Sequence, residues 1–216
     1  MPVGHQPDYK TFAQACTDLG VNLTPATYES LKQYARLIEE WNKKINLISR
    51  QDTARICTYH IIDSIAACRF ITTDARCADI GSGAGLPGIP LAIVRPDIKM
   101  TLIESIKKKC QFLEMAVTAI GLKNTKVILG RAEALPPLGS DVILSRLTSA
   151  LDRTLHYCQF HLKPCGLLVL YKSLGWEKEL KTSAKILAKY SLRWLRTEPV
   201  NLPYTDITRY FVLITK

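Results

Sequence analysis

Several things are scarce in these 216 residues, and each scarcity closes off a class of protein. No run of about eighteen uncharged apolar residues occurs, so no bilayer-spanning helix is expected. The opening MPVGHQPDYK has none of the apolar stretch of a signal peptide, so a cytoplasmic protein is expected. Histidines number only four and are scattered, and the seven cysteines include no C-x-x-C pair. No ligand spacing for a metal is recognisable, and no metal is expected. Cys16, Cys57, Cys68, Cys77, Cys110, Cys158 and Cys165 are odd in number and cannot all close into intrachain disulfides. They read as reduced and mostly buried thiols. Acid is short as well: 19 Asp and Glu face 29 Lys and Arg, a net charge of +10. A broad positive field steers a polyanion more readily than a small acidic metabolite.

At 47% hydrophobic and 22% charged, the chain has enough apolar material for one sizeable core. From Thr24, a cap followed by Pro25, apolar residues recur at Tyr28, Leu31, Tyr34, Ile38, Trp41 and Ile45, the stripe of an amphipathic helix. A shorter helix over 8–20 and another over 54–71 complete an all-helical region spanning 1–72. Thereafter the pattern becomes β-α, with strands expected near 76–80, 99–104, 125–129, 141–145 and 166–171. Helices are expected at about 88–94, 106–120, 148–161 and 176–190. LRWLRTEPV and ITRYFVLITK, on either side of NLPYTD, should close the sheet as an antiparallel hairpin.

The chemistry starts at ADIGSGAGLPGIPLA, residues 78–92, where a strand runs into a turn carrying Gly81, Gly83 and Gly85 and then into a helix. Such a turn lets a nucleotide-like ligand approach main-chain N–H groups without meeting a Cβ. A dinucleotide fingerprint starting at Gly81 would need glycine at 86, where Leu86 stands, which disfavours a nicotinamide-dependent oxidoreductase. The pattern from Asp79 to Gly85, D-x-G-x-G-x-G, resembles the first motif of class I S-adenosylmethionine-dependent methyltransferases. One strand later, MTLIES supplies Glu104, a carboxylate placed to accept from ribose hydroxyls. GRAEAL offers Ala132 and Glu133 for the adenine edge. A catalytically silent RNA-binding module could keep the same pocket, although the full set of Asp79, the three glycines and Glu104 argues for an active enzyme.

The acceptor is read from the residues after the fourth strand. DVILSRLTSAL lacks the N-P-P-Y of many exocyclic-amine methyltransferases, and NLPY at 201–204 falls too late. Carbon-5 methylation of a pyrimidine needs a cysteine nucleophile, and Cys165 in LKPCG reads as a turn into a strand. What remains suits an acceptor with a lone pair and no proton to lose, such as guanine N7, for which alignment is the enzyme's main task. Arg146, after the fourth strand, and Lys172, at the end of the fifth, stand where parallel sheets gather their sites, and they are the candidate catalytic residues.

GSGAGLPGIPLAIVRPD, with WNKKINLI and HIIDSIA upstream and GRAEAL and SR downstream, resembles the bacterial 16S rRNA guanine-N7 methyltransferase family, also called glucose-inhibited division protein B. The likeness runs from about residue 22 to the end of the chain. It implies a Rossmann-like class I fold of the α/β class, with a mostly parallel seven-stranded sheet over 73–216 behind the helical region. It further implies methyl transfer from S-adenosylmethionine to a guanine in the decoding-region loop, with 16S rRNA or the 30S subunit as partner; a monomer is expected, although the sequence itself does not state the oligomeric state. By position, Gly81, Leu86, Ala132, Glu133 and Arg146 would contact the cofactor, while Arg131 and Lys172 would lie near the RNA or target base. The chain departs from the family at Ile48 and Tyr59, at Leu147 after Ser145-Arg146, and at Ser173 after Lys172. His60 and Asp63 either orient substrate or serve packing and capping.

Two basic stretches remain. Lys178, Lys181, Lys185 and Lys189 recur at helical spacing and are expected on one helix face, with Arg193 and Arg196 beyond. A solvated face explains them at least as well as RNA. Lys107, Lys108 and Lys109 would open a helix with positive charge against its dipole, which calls for an anion nearby. They are the preferred phosphate contacts.

Overall fold

The computed structural model describes residues 7–146 and 150–216. Asp8 accepts from the Thr11 N–H at 2.9 Å and starts α1 (Tyr9–Asp18). Thr24 does the same for Thr27 at 3.1 Å, with Pro25 in the first turn of α2 (Pro25–Asn42), where its missing N–H costs nothing. Tyr28, Leu31, Tyr34, Ala35 and Ile38 form the buried face of α2. Each fully buried leucine or isoleucine contributes roughly 1.5–3 kcal/mol, against about 1 kcal/mol for a cap. The stripe rather than the cap therefore holds α2 in place.

The single helix expected over 54–71 is not formed. In its place stand a 3-10 turn (Arg50–Arg55), a π turn (Ile56–Ile61), one turn of α-helix, α3 (Ile62–Ile65), and a second 3-10 turn (Ala66–Phe70). Burial explains the departure. From His60 through Ile61, Ile62, Asp63, Ser64, Ile65, Ala66 and Ala67 to Cys68, every side chain is buried, so no polar stripe enforces a 3.6 period. Packing on all sides then selects the local winding.

β1 (Arg76–Ile80), β2 (Lys99–Glu104), β3 (Thr125–Leu129), β4 (Ser140–Ser145), β5 (Leu162–Lys172), β6 (Arg193–Asn201) and β7 (Thr208–Thr215) make one sheet in the order β3-β2-β1-β4-β5-β7-β6. The first five strands pair in parallel, while β7 runs antiparallel to both β5 and β6. This is the Rossmann-like sheet with its expected closing hairpin. One face carries α2, α4 (Gly88–Val94) and α5 (Lys107–Ile120); the other carries α6 (Leu151–Cys158), α7 (Trp176–Thr182) and α8 (Ala184–Lys189). The start expected for α6 at 148 lies outside the described residues. The helix expected over 176–190 breaks at Ser183, which is buried between α7 and α8.

One hydrophobic cluster runs from Phe12 in α1 through Leu31, Ile65 and Leu102 to Phe211 in β7. The N-terminal helices thus share their core with the sheet. Gln33 donates to the Ala119 carbonyl at 3.0 Å, and Tyr34 donates its hydroxyl to the Ala84 carbonyl beneath the glycine turn. Six cysteines are buried. Burial pushes the thiols of Cys16, Cys57, Cys68 and Cys77 up to about 12, so they are held as unreactive thiols. Among the described residues no helix is long and apolar enough to cross a membrane, and no three His, Cys, Asp or Glu side chains cluster as metal ligands.

Candidate active site

β1 and β4 are neighbours whose connections leave in opposite directions, which opens a crevice at their carboxyl ends. The glycine turn follows β1, with Gly81, Gly83 and Gly85 at φ of 75°, 57° and 86°. At Gly85 the reason is also contact: a Cβ there would sit 2.6 Å from Ile89 Cδ1 and 3.0 Å from Leu113 Cδ2. Gly85 and the buried Leu86 therefore seat the turn on the core, whereas Gly81 is exposed at the crevice. Asp79 is 1% exposed, and its Oδ2 accepts from the Gly88 N–H at 3.0 Å, tying β1 to the start of α4. Its Oδ1 is buried and has no hydrogen-bond partner. Burial drives this carboxyl up to about 7, against the pull of the Gly88 N–H and of Arg146.

Glu104 ends β2 with one oxygen accepting from the Gly83 N–H at 2.9 Å and the other from the Ile106 N–H at 2.8 Å. It pins both the glycine turn and the start of α5, and each carboxylate oxygen keeps a further lone pair. Beside it lies a cleft of about 240 Å³ lined by Gly81, Ile103, Ala132, Glu133 and Tyr157, with Arg131 on its rim. The Arg131 and Glu133 side chains face each other at 3.8 Å. Buried His161 donates from Nε2 to the Ala132 carbonyl at 2.9 Å, which sets the position of that stretch of main chain. Tyr157 was not anticipated. Its only signal is an aromatic on the half-buried flank of α6.

A second cavity, about 460 Å³, opens past the carboxyl ends of β4 and β5 and is lined by Arg146, Tyr171, Lys172, Glu179 and Arg209. Beneath it Asp63 is wholly buried. Arg209 grips it with Nε at 2.7 Å and Nη2 at 3.0 Å, and Arg146 Nη2 lies 3.2 Å away. Arg146 also donates to Ser64 Oγ at 3.2 Å and lies over the Tyr171 ring. Lys172 pairs with Glu179 at 2.7 Å. His60 stands 3.3 Å from Arg146 Nη2 through Nδ1; burial first and Arg146 second lower its pKa to about 4, so the ring is neutral near pH 7. Asp63 is thus the anchor of two arginines, a role beyond simple capping. Arg209 was missed by sequence reasoning. The available signal was a lone charge at an inward position of the apolar run TRYFVLIT.

Lys107 and Lys108 are exposed and Lys109 half-buried at the start of α5, beside Glu104, while the capping position Ile106 makes no side-chain cap. Cys165 lies near the amino end of β5, and its N–H donates to the Lys216 carbonyl, away from the crevice.

Residues 27–202 match the family described as GidB, rRNA small subunit methyltransferase G. The chain belongs to this family. Proteins named ribosomal RNA small subunit methyltransferase G are similar over most of its length. That of Chlorobium limicola is 35% identical over 83% of this chain and 82% of the relative, and that of Aromatoleum aromaticum is 32% identical over 95% and 98%. Among solved structures, TYW2 of M. jannaschii in complex with AdoMet superposes with a TM-score of 0.57 at 16% identity, covering 80% of this chain and 78% of the other. A SAM-dependent methyltransferase from Aquifex aeolicus gives 0.57 at 18% identity over 74% and 93%. These two likenesses concern the fold. Family membership makes the chain an rRNA small subunit methyltransferase, and it sets aside the nicotinamide and silent-module readings.

Proposed function

We propose that the chain transfers the methyl of S-adenosylmethionine to N7 of a guanine in 16S rRNA, met as free rRNA or within the 30S subunit. The observation that carries this reading is the juxtaposition of two chambers across the β1/β4 crevice: a cleft beside Gly81 and Glu104, and a cavity whose cations are already countered. The donor supplies an electrophilic methyl on a sulfonium. The residues fit it: Glu104 has lone pairs left for the ribose hydroxyls, Gly81 and Gly83 present bare main chain, and Ala132 and Glu133 edge the adenine pocket. Asp79, buried beneath the turn, ties β1 to the start of α4, and Leu86 and Gly85 hold the turn from below.

In the second cavity, Arg146, Lys172 and Arg209 face two carboxylates, Asp63 and Glu179. Such near-compensation lets Arg146 and Lys172 offer hydrogen-bond donors to a base without strongly repelling a sulfonium. The N7 lone pair forms the new N–C bond as the S–C bond breaks, and no proton leaves the acceptor. Alignment is the residual task, and the fixed Arg146 guanidinium supplies it. Lys107, Lys108, Lys109 and Arg131 are the phosphate contacts around the opening, and the enzyme works as a cytoplasmic monomer without metal.

The test is transfer of labelled methyl to 30S particles lacking the modification, followed by nucleoside analysis. Label is expected in 7-methylguanosine. Label on an amine, a carbon or a ribose oxygen instead would overturn the acceptor assignment.

A further inference from the structure

We propose that Leu174 is a wedge: it enters the RNA base stack next to the target nucleotide and keeps that nucleotide turned out into the cavity lined by Arg146 and Lys172. The inference rests on reading that cavity as the acceptor site. Leu174 is 85% exposed, the most exposed large apolar side chain among the described residues, and it lines this cavity. A lone surface leucine ordinarily needs no explanation. This one stands at the carboxyl end of β5, directly beyond Lys172, where the substrate must arrive.

The short loop that carries it is held on both sides. Arg209 Nη1 donates to the Lys172 carbonyl and to Ser173 Oγ, each at 3.3 Å. Lys172 is drawn to Glu179 at 2.7 Å, and the Gly175 carbonyl accepts from the Lys178 N–H at 3.1 Å. Gly175 has φ of 93°, and nothing lies within 4 Å of where its Cβ would be. Glycine is therefore needed there for the turn alone, and the turn leaves Leu174 projecting from a braced support. The same Arg209 that grips Asp63 braces the loop, so the side chains lining the cavity and the wedge share one foundation.

The chemistry asks for such a part. A base stacked between neighbours cannot bring its N7 in line with a methyl held at the bottom of a crevice, so it must leave the stack, and the gap it leaves costs stacking energy. Apolar side chains that enter base steps offset that cost. Leucine can fill the gap without reading a sequence.

Two measurements test this. In the first, 2-aminopurine replaces the neighbour of the target guanine in a 16S rRNA fragment, and its fluorescence reports unstacking on binding. A rise with wild type, its absence with Leu174→Ala and its return with Leu174→Met are expected. In the second, methylation by Leu174→Ala should fall about tenfold or more in kcat on the intact fragment, with donor affinity and melting temperature unchanged. The deficit should largely vanish on a fragment whose neighbouring base is abasic. Equal deficits on both fragments, or a Leu174→Ala enzyme that unstacks and methylates like wild type, would overturn the wedge. Because fluorescence reads unstacking without methyl transfer, it decides the wedge even if the label proves to lie on an atom other than N7.

Discussion

Asp79 and Glu104 stand at the ends of adjacent strands and solve different problems. Glu104 is satisfied by two main-chain N–H groups, whereas Asp79 has one oxygen satisfied and one buried alone. The Asp79 carboxyl titrates near 7 in the fold against 3.8 when unburied, so the folded state keeps its proton where the unfolded chain has lost it. Its contribution to stability is fully present below about pH 4 and is lost as pH rises through about 7. In donor-free protein, Asp79→Asn should flatten the fall in melting temperature across that window, an outcome thermal melts at stepped pH will show. Glu104→Ala should weaken S-adenosylmethionine binding roughly 10- to 100-fold, the loss of charge-assisted hydrogen bonds to the ribose. Glu104→Gln should lose less, and calorimetry finding full affinity in the alanine variant would remove the ribose assignment. Both acids were legible from their spacing to the glycines. Asp63 and Arg209 were not legible as a pair, because 146 positions separate them and only the fold brings them to 2.7 Å.

At the scale of elements, the glycine turn divides its labour between backbone shape and close contact. Gly83→Ala would meet only the Gly81 carbonyl at 3.9 Å, so its cost is that of a left-handed alanine, about 1–2 kcal/mol. Gly85→Ala adds a collision at 2.6 Å with Ile89 and another with Leu113, which raises the cost by roughly 1–3 kcal/mol. Urea midpoints should therefore rank Gly85→Ala clearly below Gly83→Ala. Equal midpoints would show that Ile89 yields freely. The helices whose polar and apolar faces differ, α2 and α5, follow the pattern read from the chain. The segment 54–71 does not, since burial of every side chain from His60 to Cys68 erases the face that periodicity needs. Ser183 splits the last helix for a related reason: one buried polar residue breaks the line that four lysines suggested.

For the whole molecule, the excess of ten positive charges is spread unevenly. Arg131 lines the cleft and Lys107 and Lys108 open α5, while Lys178 and Lys181 lie on α7 and Lys185 and Lys189 on α8, so the single helix expected to carry these four lysines is divided in two. Affinity for the rRNA fragment should fall with salt, with a log-log slope of roughly −0.7 per phosphate neutralised. Replacing Lys107, Lys108 and Lys109 together by glutamine should make that slope shallower, whereas an unchanged slope in filter binding would move the phosphate path elsewhere. The succession of strands along the chain, the glycine turn, its two acids and the family itself are written in the sequence, because strand runs, turn chemistry and short spacings are local properties of the chain. The clasp of Asp63 by two arginines, the braced loop under Leu174 and the winding of 54–71 were decided by tertiary structure alone. Each depends on groups far apart in the chain meeting in a dry interior, where an unpaired charge is too costly to leave and shape is set from all sides.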